Sequence, residues 1–207
     1  MDASETRRGN PSVHKQFETL HALNNWSGSG SLFGEGAAIL VGDLALSWAD
    51  EMLLTSGIDS EQTLRAKAVY DVMRTELMSG QYLDLLEQVR GEITQERAET
   101  VIRYKSAKYT IERPLHLGAS LAITDAAERR NLVNVLSAYG LPLGEAFQLR
   151  DDMLGIFGDP SVTGKPAGDD LREGKRTVLM AMTLERADQA SASKITGALG
   201  REDLTPD

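Results

Sequence analysis

Cysteine is absent from the 207 residues. This excludes disulfides, thiolate metal sites and cysteine nucleophiles together, and it is compatible with a reducing cytoplasm, the compartment expected here. Positive charge is in deficit, with 22 Lys and Arg against 31 Asp and Glu for a net charge of -9. Such a balance argues against a nucleic-acid partner held by nonspecific electrostatics. A local cluster of Lys and Arg could still hold a small anionic substrate, and an acidic protein that handles a polyanion usually recruits divalent cations. No apolar run approaches the ~18 residues of a membrane-crossing helix, and the opening residues Met1-Asp2-Ala3-Ser4-Glu5 lack the apolar core of a signal peptide. Period-two strand patterns are nearly absent, and there is no repeat of solenoid length.

What remains is helical. Hydrophobic residues make up 41% and charged residues 26%, enough for one domain with a substantial core. Residues 1–32 are polar, with Gly28-Ser29-Gly30-Ser31 reading as a loop. A helix apolar on most sides is predicted over 33–55. A second starts at Ser60 and runs to about Gln88, disturbed near Gly80. A third opens at Thr94 and extends through Ala122. A fourth opens at Asp125 and runs toward Phe157, with a break at Gly140-Leu141-Pro142. A loop covers 158–172, a helix about 173–187, and a short helix follows Ser191. The fold class is therefore all-α. At the far end, Thr205-Pro206 reads as an N-cap and first helical position with no helix after it.

The chemistry concentrates after the fourth helix. Phe147-Gln148-Leu149-Arg150-Asp151-Asp152-Met153-Leu154-Gly155 places adjacent carboxylates near a helix end. Adjacent helical residues point about 100° apart, so one can ligate a cation while the other orients water or a lysine. Oxygen ligands suit Mg2+, which keeps waters and shares substrate phosphates. A solvated pair of aspartates at a helix end is the plainer alternative. Then come Phe157-Gly158-Asp159-Pro160, Thr163-Gly164-Lys165-Pro166, Gly168-Asp169-Asp170-Leu171 and Gly174-Lys175-Arg176-Thr177. Two glycine-preceded lysines beside the carboxylates supply point charges for phosphate oxygens.

From Phe147 to Thr177 the chain resembles the second aspartate-rich motif of trans-isoprenyl (polyprenyl) diphosphate synthases, of the geranylgeranyl or farnesyl type. Further segments resemble the same family. Asp2 matches the last Asp of the first aspartate-rich motif, and Arg7-Arg8-Gly9 follows as Arg-Arg-Gly does there. Gly80-Gln81-Tyr82-Leu83-Asp84 resembles a Gly-Gln-x-x-Asp stretch whose Gln and Asp share a helix face. Tyr104-Lys105-Ser106 resembles the Lys-Thr segment in which a helix kinks toward the reacting centre, with Ser106 where Thr is usual. Gly42-Asp43-Leu44 resembles another recurring family segment, read as structural. Lys108 reads as a surface charge, and His14 as the holder of a structural hydrogen bond.

The resemblance implies an isoprenoid-synthase helical bundle around a central cavity, here one incomplete domain lacking helices at both ends, with residues 1–32 holding part of the first motif and a loop. It implies Mg2+-dependent head-to-tail condensation of isopentenyl diphosphate with an allylic diphosphate, and a homodimer. The implied metal ligands are Asp2, Asp151, Asp152 and Asp170. The implied diphosphate ligands are Arg7, Lys105, Lys165 and Lys175, with Arg8 on isopentenyl diphosphate, Ser106 beside Lys105, and Gln148 near the allylic cation. Lys105, Gln148 and Asp151 are the residues expected at the chemistry. Gly155 departs from the motif, which often has its third Asp there. Asp159 would follow Asp152 on nearly the same face, but Gly158 ends the helix first. The chain is expected to turn over weakly or not at all by itself. A noncatalytic paralogue or subunit that dimerises with a full-length synthase is the alternative.

Overall fold

The computed structural model describes residues 5–7, 9–92, 94–163, 168–201 and 203–204. It is all-α among these apart from a two-residue antiparallel pair, β1 (Thr6–Arg7) and β2 (Asn10–Pro11). The chain forms two compact units, residues 1–58 with 160–165, and residues 59–159 with 166–207.

In the first unit, α1 (Val13–Leu23) packs on α2 (Gly30–Leu54). A helix stands within the polar stretch read from sequence as motif and loop. Gln16 and Thr19 face water, while Phe17 and His21 meet Phe33 at ring-centroid distances of 6.2 and 5.7 Å. The Ser29 hydroxyl accepts from the Leu32 N–H, so α2 begins inside the Gly-Ser segment rather than after it. Gly34 lets the two helices close, since a Cβ there would lie 3.2 Å from the Glu18 backbone nitrogen and nearer still to the His14 carbonyl. The Ser12 hydroxyl lies 3.1 Å from His14 Nδ1, in line with a structural role. α2 carries apolar residues on all sides, and Leu32, Ile39, Leu40, Trp48 and Met52 are exposed, as is Asp43. A four-residue helix, α7 (Pro160–Thr163), also belongs to this unit.

The second unit is built on α3 (Ser60–Arg90) and α6 (Ala126–Phe157), which pack against a helix that changes pitch along its length. That helix begins as α4 (Gln95–Ile102), widens into a π segment (Arg103–Glu112), and resumes as α5 (Arg113–Ala122). The Arg113 N–H bonds to the Lys108 carbonyl, five residues back. Pro114 supplies the physical reason. It has no N–H, and in a regular helix its ring would press on the carbonyl of Thr110. An i→i+5 turn ahead of it moves that carbonyl away. The kink expected at Tyr104-Lys105-Ser106 is thus a widening.

Glycines seat α3 and α6 on the π segment. A Cβ on Gly80 would stand 2.6 Å from the Tyr104 carbonyl carbon and 2.8 Å from Lys105 Cα, and a Cβ on Gly144 would stand 2.6 Å from Ala107 Cα. α3 is therefore continuous through Gly80, with Asp59 rather than Ser60 as its cap. The break expected at Gly140-Leu141-Pro142 is absent, and α6 runs unbroken through Pro142. A proline inside a helix costs ~3 kcal/mol, and the close packing that Gly140 and Gly144 permit holds the helix together across it.

Downstream, α8 (Asp169–Arg172) is separate from α9 (Val178–Arg186), and α10 is Gln189–Ala198. The helix expected from 173 starts later because Gly174 takes φ +69°, outside the helical region, and Thr177 then caps α9 by accepting from the Met180 N–H. Among the described residues no helix is long and apolar enough to cross a membrane.

Candidate active site

α6 delivers Gln148, Asp151 and Asp152 at its C-terminal end, and Gly158 closes the helix directly after Phe157. Asp151 is exposed and Asp152 is buried. Gln148 Nε2 donates to Asp152 Oδ1 at 2.8 Å, the i,i+4 contact their spacing permits. The loop returns through Gly168, at φ +75°, into α8, which packs on this end of α6. Asp170 is also buried, and its Oδ1 accepts from Lys175 Nζ at 2.7 Å, while Glu173 Oε2 meets the same ammonium at 2.8 Å.

Burial raises the pKa of Asp152 to about 6, with the negative charges of Asp170 and Asp151 adding to the effect and Gln148 opposing it. Burial disfavours the Lys175 cation, but Asp170 and Glu173 outweigh it and hold the lysine protonated. The negative charges that add to the proton affinity of Asp152 attract other cations too. Asp151, Asp152 and Asp170 offer oxygen ligands, which suit a hard divalent ion. No three carboxylates or imidazoles among the described residues gather closely enough to hold a metal by themselves. A cation here would complete its shell with water and ligand oxygens, the habit of Mg2+.

A second cluster lies where α3 meets the π segment. Lys105 Nζ bonds to Asp84 Oδ2 at 2.6 Å, joining two segments singled out separately in the sequence. Ser106 is buried beside it. The Gly144–Ala107 contact lies between the clusters, with Lys105 two residues before Ala107 and Gln148 one turn after Gly144. Arg7 is exposed on β1 in the first unit. Asp2, Arg8 and Lys165 lie outside the described residues.

Lys108 is not a surface charge. It bridges Glu76 and Glu112 at 3.1 Å each, because the π segment turns it toward α3. Around it stands a network that the sequence did not reveal. Arg113 grips Glu76 with two bonds of 2.6 and 2.7 Å, and its Nη1 lies 3.1 Å from His116 Nδ1. Ser137 Oγ lies 2.9 Å from His116 Nε2 and donates to Glu112 Oε1 at 2.8 Å. Arginine can only donate, so Nδ1 of His116 must accept, which leaves its Nε2–H to donate. The only sequence trace of this network was a set of charges on otherwise apolar helices, with partners too far along the chain to be paired by spacing.

The family model for polyprenyl synthetase matches residues 1–206. The chain belongs to the polyprenyl synthetase family. It is 34% identical over 203 residues to a short chain isoprenyl diphosphate synthase of Methanothermobacter thermautotrophicus, an alignment covering 98% of this chain and 56% of that protein. It is 31% identical to the geranylgeranyl diphosphate synthase of Saccharolobus solfataricus, over 98% of this chain and 55% of the relative. The crystal structure of geranylgeranyl pyrophosphate synthase from Corynebacterium glutamicum, complexed with isoprenyl diphosphate and magnesium, superposes with a TM-score of 0.93 at 47% identity, covering 99% of this chain and 57% of that one. The chain thus spans little more than half the length of these relatives. The all-α architecture of this polyprenyl synthetase chain is that of the isoprenoid synthases.

Proposed function

We propose that this chain carries metal- and diphosphate-binding machinery of an isoprenyl diphosphate synthase, a prenyltransferase that joins isopentenyl diphosphate head to tail to an allylic diphosphate. A geranylgeranyl- or farnesyl-type product accords with the relatives. The observation that carries the reading is the gathering of Gln148, Asp152, Asp170 and Lys175 at one end of α6, between a buried carboxylate that resists ionisation and a lysine held charged.

Mg2+, when bound, would neutralise the diphosphate oxygens and favour departure of the allylic diphosphate. Asp151 and Asp152 would hold it, with Asp170 beside them and Asp2 as a further ligand. Gln148 fixes the orientation of the Asp152 carboxylate through its 2.8 Å bond. Asp152 must shed its proton before it binds a cation, which its raised pKa allows at neutral pH. Lys175 and Lys105 are ammonium groups on short tethers to Asp170 and Asp84. Each can turn one donor toward a diphosphate oxygen without losing its carboxylate, since an ammonium has three donors. Lys165 and Arg7 would add charge to the same leaving group, Ser106 would flank Lys105, and Arg8 would hold isopentenyl diphosphate. As charge leaves with the diphosphate, the alkene attacks the allylic carbon and a proton is lost to complete the new double bond. The exposed apolar residues of α2 suit a homodimer contact.

The test is condensation of radiolabelled isopentenyl diphosphate with geranyl or farnesyl diphosphate by a polypeptide that contains this chain and has the length of its relatives. Label should pass into solvent-extractable product with Mg2+, and not with chelator or with Asp151 and Asp152 changed to Asn. Equal incorporation in all three would refute the proposal.

A further inference from the structure

α3 meets the π segment along one row of its own residues. Glu76, Gly80 and Asp84 are each four apart, so they lie on one stripe of the helix. Gly80 is the place of close approach, against the backbone of Tyr104 and Lys105. One turn toward the C-terminus, Asp84 takes the Lys105 ammonium at 2.6 Å. One turn toward the N-terminus, Glu76 takes two cations. Its Oε1 meets Lys108 Nζ at 3.1 Å and Arg113 Nη2 at 2.7 Å, and its Oε2 meets Arg113 Nε at 2.6 Å.

Lys108 and Arg113 can share one carboxylate because of the pitch between them. In an α-helix, residues five apart point about 140° from one another. In the π segment the Arg113 N–H bonds to the Lys108 carbonyl, and that i→i+5 bond stacks the two residues. Glu76 therefore binds the widened form through two groups that an α pitch would part. Burial favours the neutral form of Glu76, but Arg113 and Lys108 outweigh it and hold the pKa below the usual carboxylate range, so the grip is ionic at neutral pH. Glu112 also holds Lys108, at 3.1 Å, but from four residues along the same segment, a spacing that an α pitch would satisfy too. The Lys108 ammonium stands 5.6 Å from the ring centroid of Tyr104, the residue before Lys105.

We infer that Glu76 is a positioning residue: by holding Lys108 and Arg113 together it fixes the π pitch, and the pitch directs Lys105 across Gly80 onto Asp84. This rests on the proposed function, in which Lys105 serves the diphosphate, and adds to it what aims that lysine. Lys105 lies three residues before Lys108 in the same segment. A return to α pitch turns each residue of the segment by a different angle, which takes Lys105 and Lys108 out of step with the α3 row. If Glu76 only stabilised the fold, any equal loss of stability would disturb Lys105 as much.

The test uses Glu76→Gln in the 207-residue chain, with Gln62→Ala as the control for lost stability. Gln62 Nε2 donates to the Leu121 carbonyl at 2.9 Å, so it joins α3 to α5 outside the π segment. The first readout is the nitrogen–proton correlation signal of the Lys105 ammonium in nuclear magnetic resonance, identified by its loss in Lys105→Met. Glu76→Gln should broaden or shift that signal, and Gln62→Ala should leave it in place. The second readout is calorimetric affinity for inorganic diphosphate with Mg2+. Lys105→Met should weaken binding about tenfold or more, the loss of one charged hydrogen bond. Glu76→Gln should weaken it about threefold to tenfold, and should weaken it no further in a chain that already carries Lys105→Met. Lys108→Met leaves Arg113 on Glu76 and should give the same changes in smaller size, so it reports even if Glu76→Gln folds poorly. The inference is overturned by an ammonium signal that is missing from the parent, unchanged in Glu76→Gln, or equally changed in Gln62→Ala, and by diphosphate losses that add in full. If Lys105→Met binds diphosphate as tightly as the parent, the proposed role of Lys105 falls, and the ammonium signal alone decides what Glu76 does.

Discussion

Replacing Gly80 with alanine should destabilise the chain although alanine is the better helix former. The new Cβ would lie 2.6 Å from the Tyr104 carbonyl carbon and 2.8 Å from Lys105 Cα. Relaxed carbon contacts need about 3.5 Å or more, so α3 and the π segment must part by close to 1 Å. Both obstacles are backbone, and neither can swing aside as a flexible side chain could. Overpacking of this kind costs ~1–3 kcal/mol. Alanine in place of glycine in a helix returns ~0.5–1 kcal/mol. The net expectation is a loss of ~1–2 kcal/mol, or roughly 2–8 °C in unfolding midpoint for a domain of this size. Gly118, inside α5, is the control, because a Cβ there meets nothing within 4 Å. Gly118→Ala should be neutral or stabilising by ~0.5–1 kcal/mol. Urea unfolding followed by circular dichroism measures both. The reasoning is refuted if Gly80→Ala matches or exceeds the parent in stability, or if the two variants shift together in the same direction.

Three further outcomes follow from the same geometry. Ser137→Ala removes the group between His116 and Glu112 and leaves buried polar atoms unmatched, so it should cost ~1–3 kcal/mol in urea unfolding; an unchanged midpoint would contradict the network. Burial, aided by the charges of Arg113 and Lys108 and opposed by Glu112, holds the pKa of His116 below its ordinary 6.5. The unfolded chain therefore binds the extra proton first, so this histidine's contribution to stability is full above pH 6.5 and declines as pH falls below it. Subtracting the profile of His116→Gln should remove that decline, and identical profiles would count against it. Asp152, raised to about 6, contributes in the opposite sense, favouring the metal-free fold below that pH. Protons and cations then compete for it, so Mg2+ affinity measured by calorimetry should fall as pH drops through about 6. An affinity flat from pH 7 to 5 would remove Asp152 from the site.

The helices were legible in the sequence because capping residues and breakers are local signals. Asp125 and Thr94 cap where they were read, and Gly158 ends α6 before Asp159 can join its face. What was misread depends on contacts between distant elements. Pro142 looks like a break until Gly144 is seen lying on Ala107, and Gly80 looks like a weak point until Lys105 is seen beneath it. The π segment needed Pro114 together with packing from two sides. At the site, Asp151, Asp152, Asp170 and Lys175 were all legible as chemistry within one stretch of chain. Their arrangement was not, because no spacing rule says that Asp170 folds back over Gly155 or that Lys105 reaches Asp84. Lys108 was misjudged for the same reason, since its exposure is set by the turn of the π segment and by Glu76.

The proposed function has the end of α6 bind diphosphate through a divalent cation. Calorimetric titration of the chain with inorganic diphosphate, with and without Mg2+, tests it most directly. Binding should require Mg2+, be lost in Asp152→Asn, and be weakened in Lys175→Gln. Diphosphate binding that is equally strong in chelator, or no binding with Mg2+ present, would contradict it.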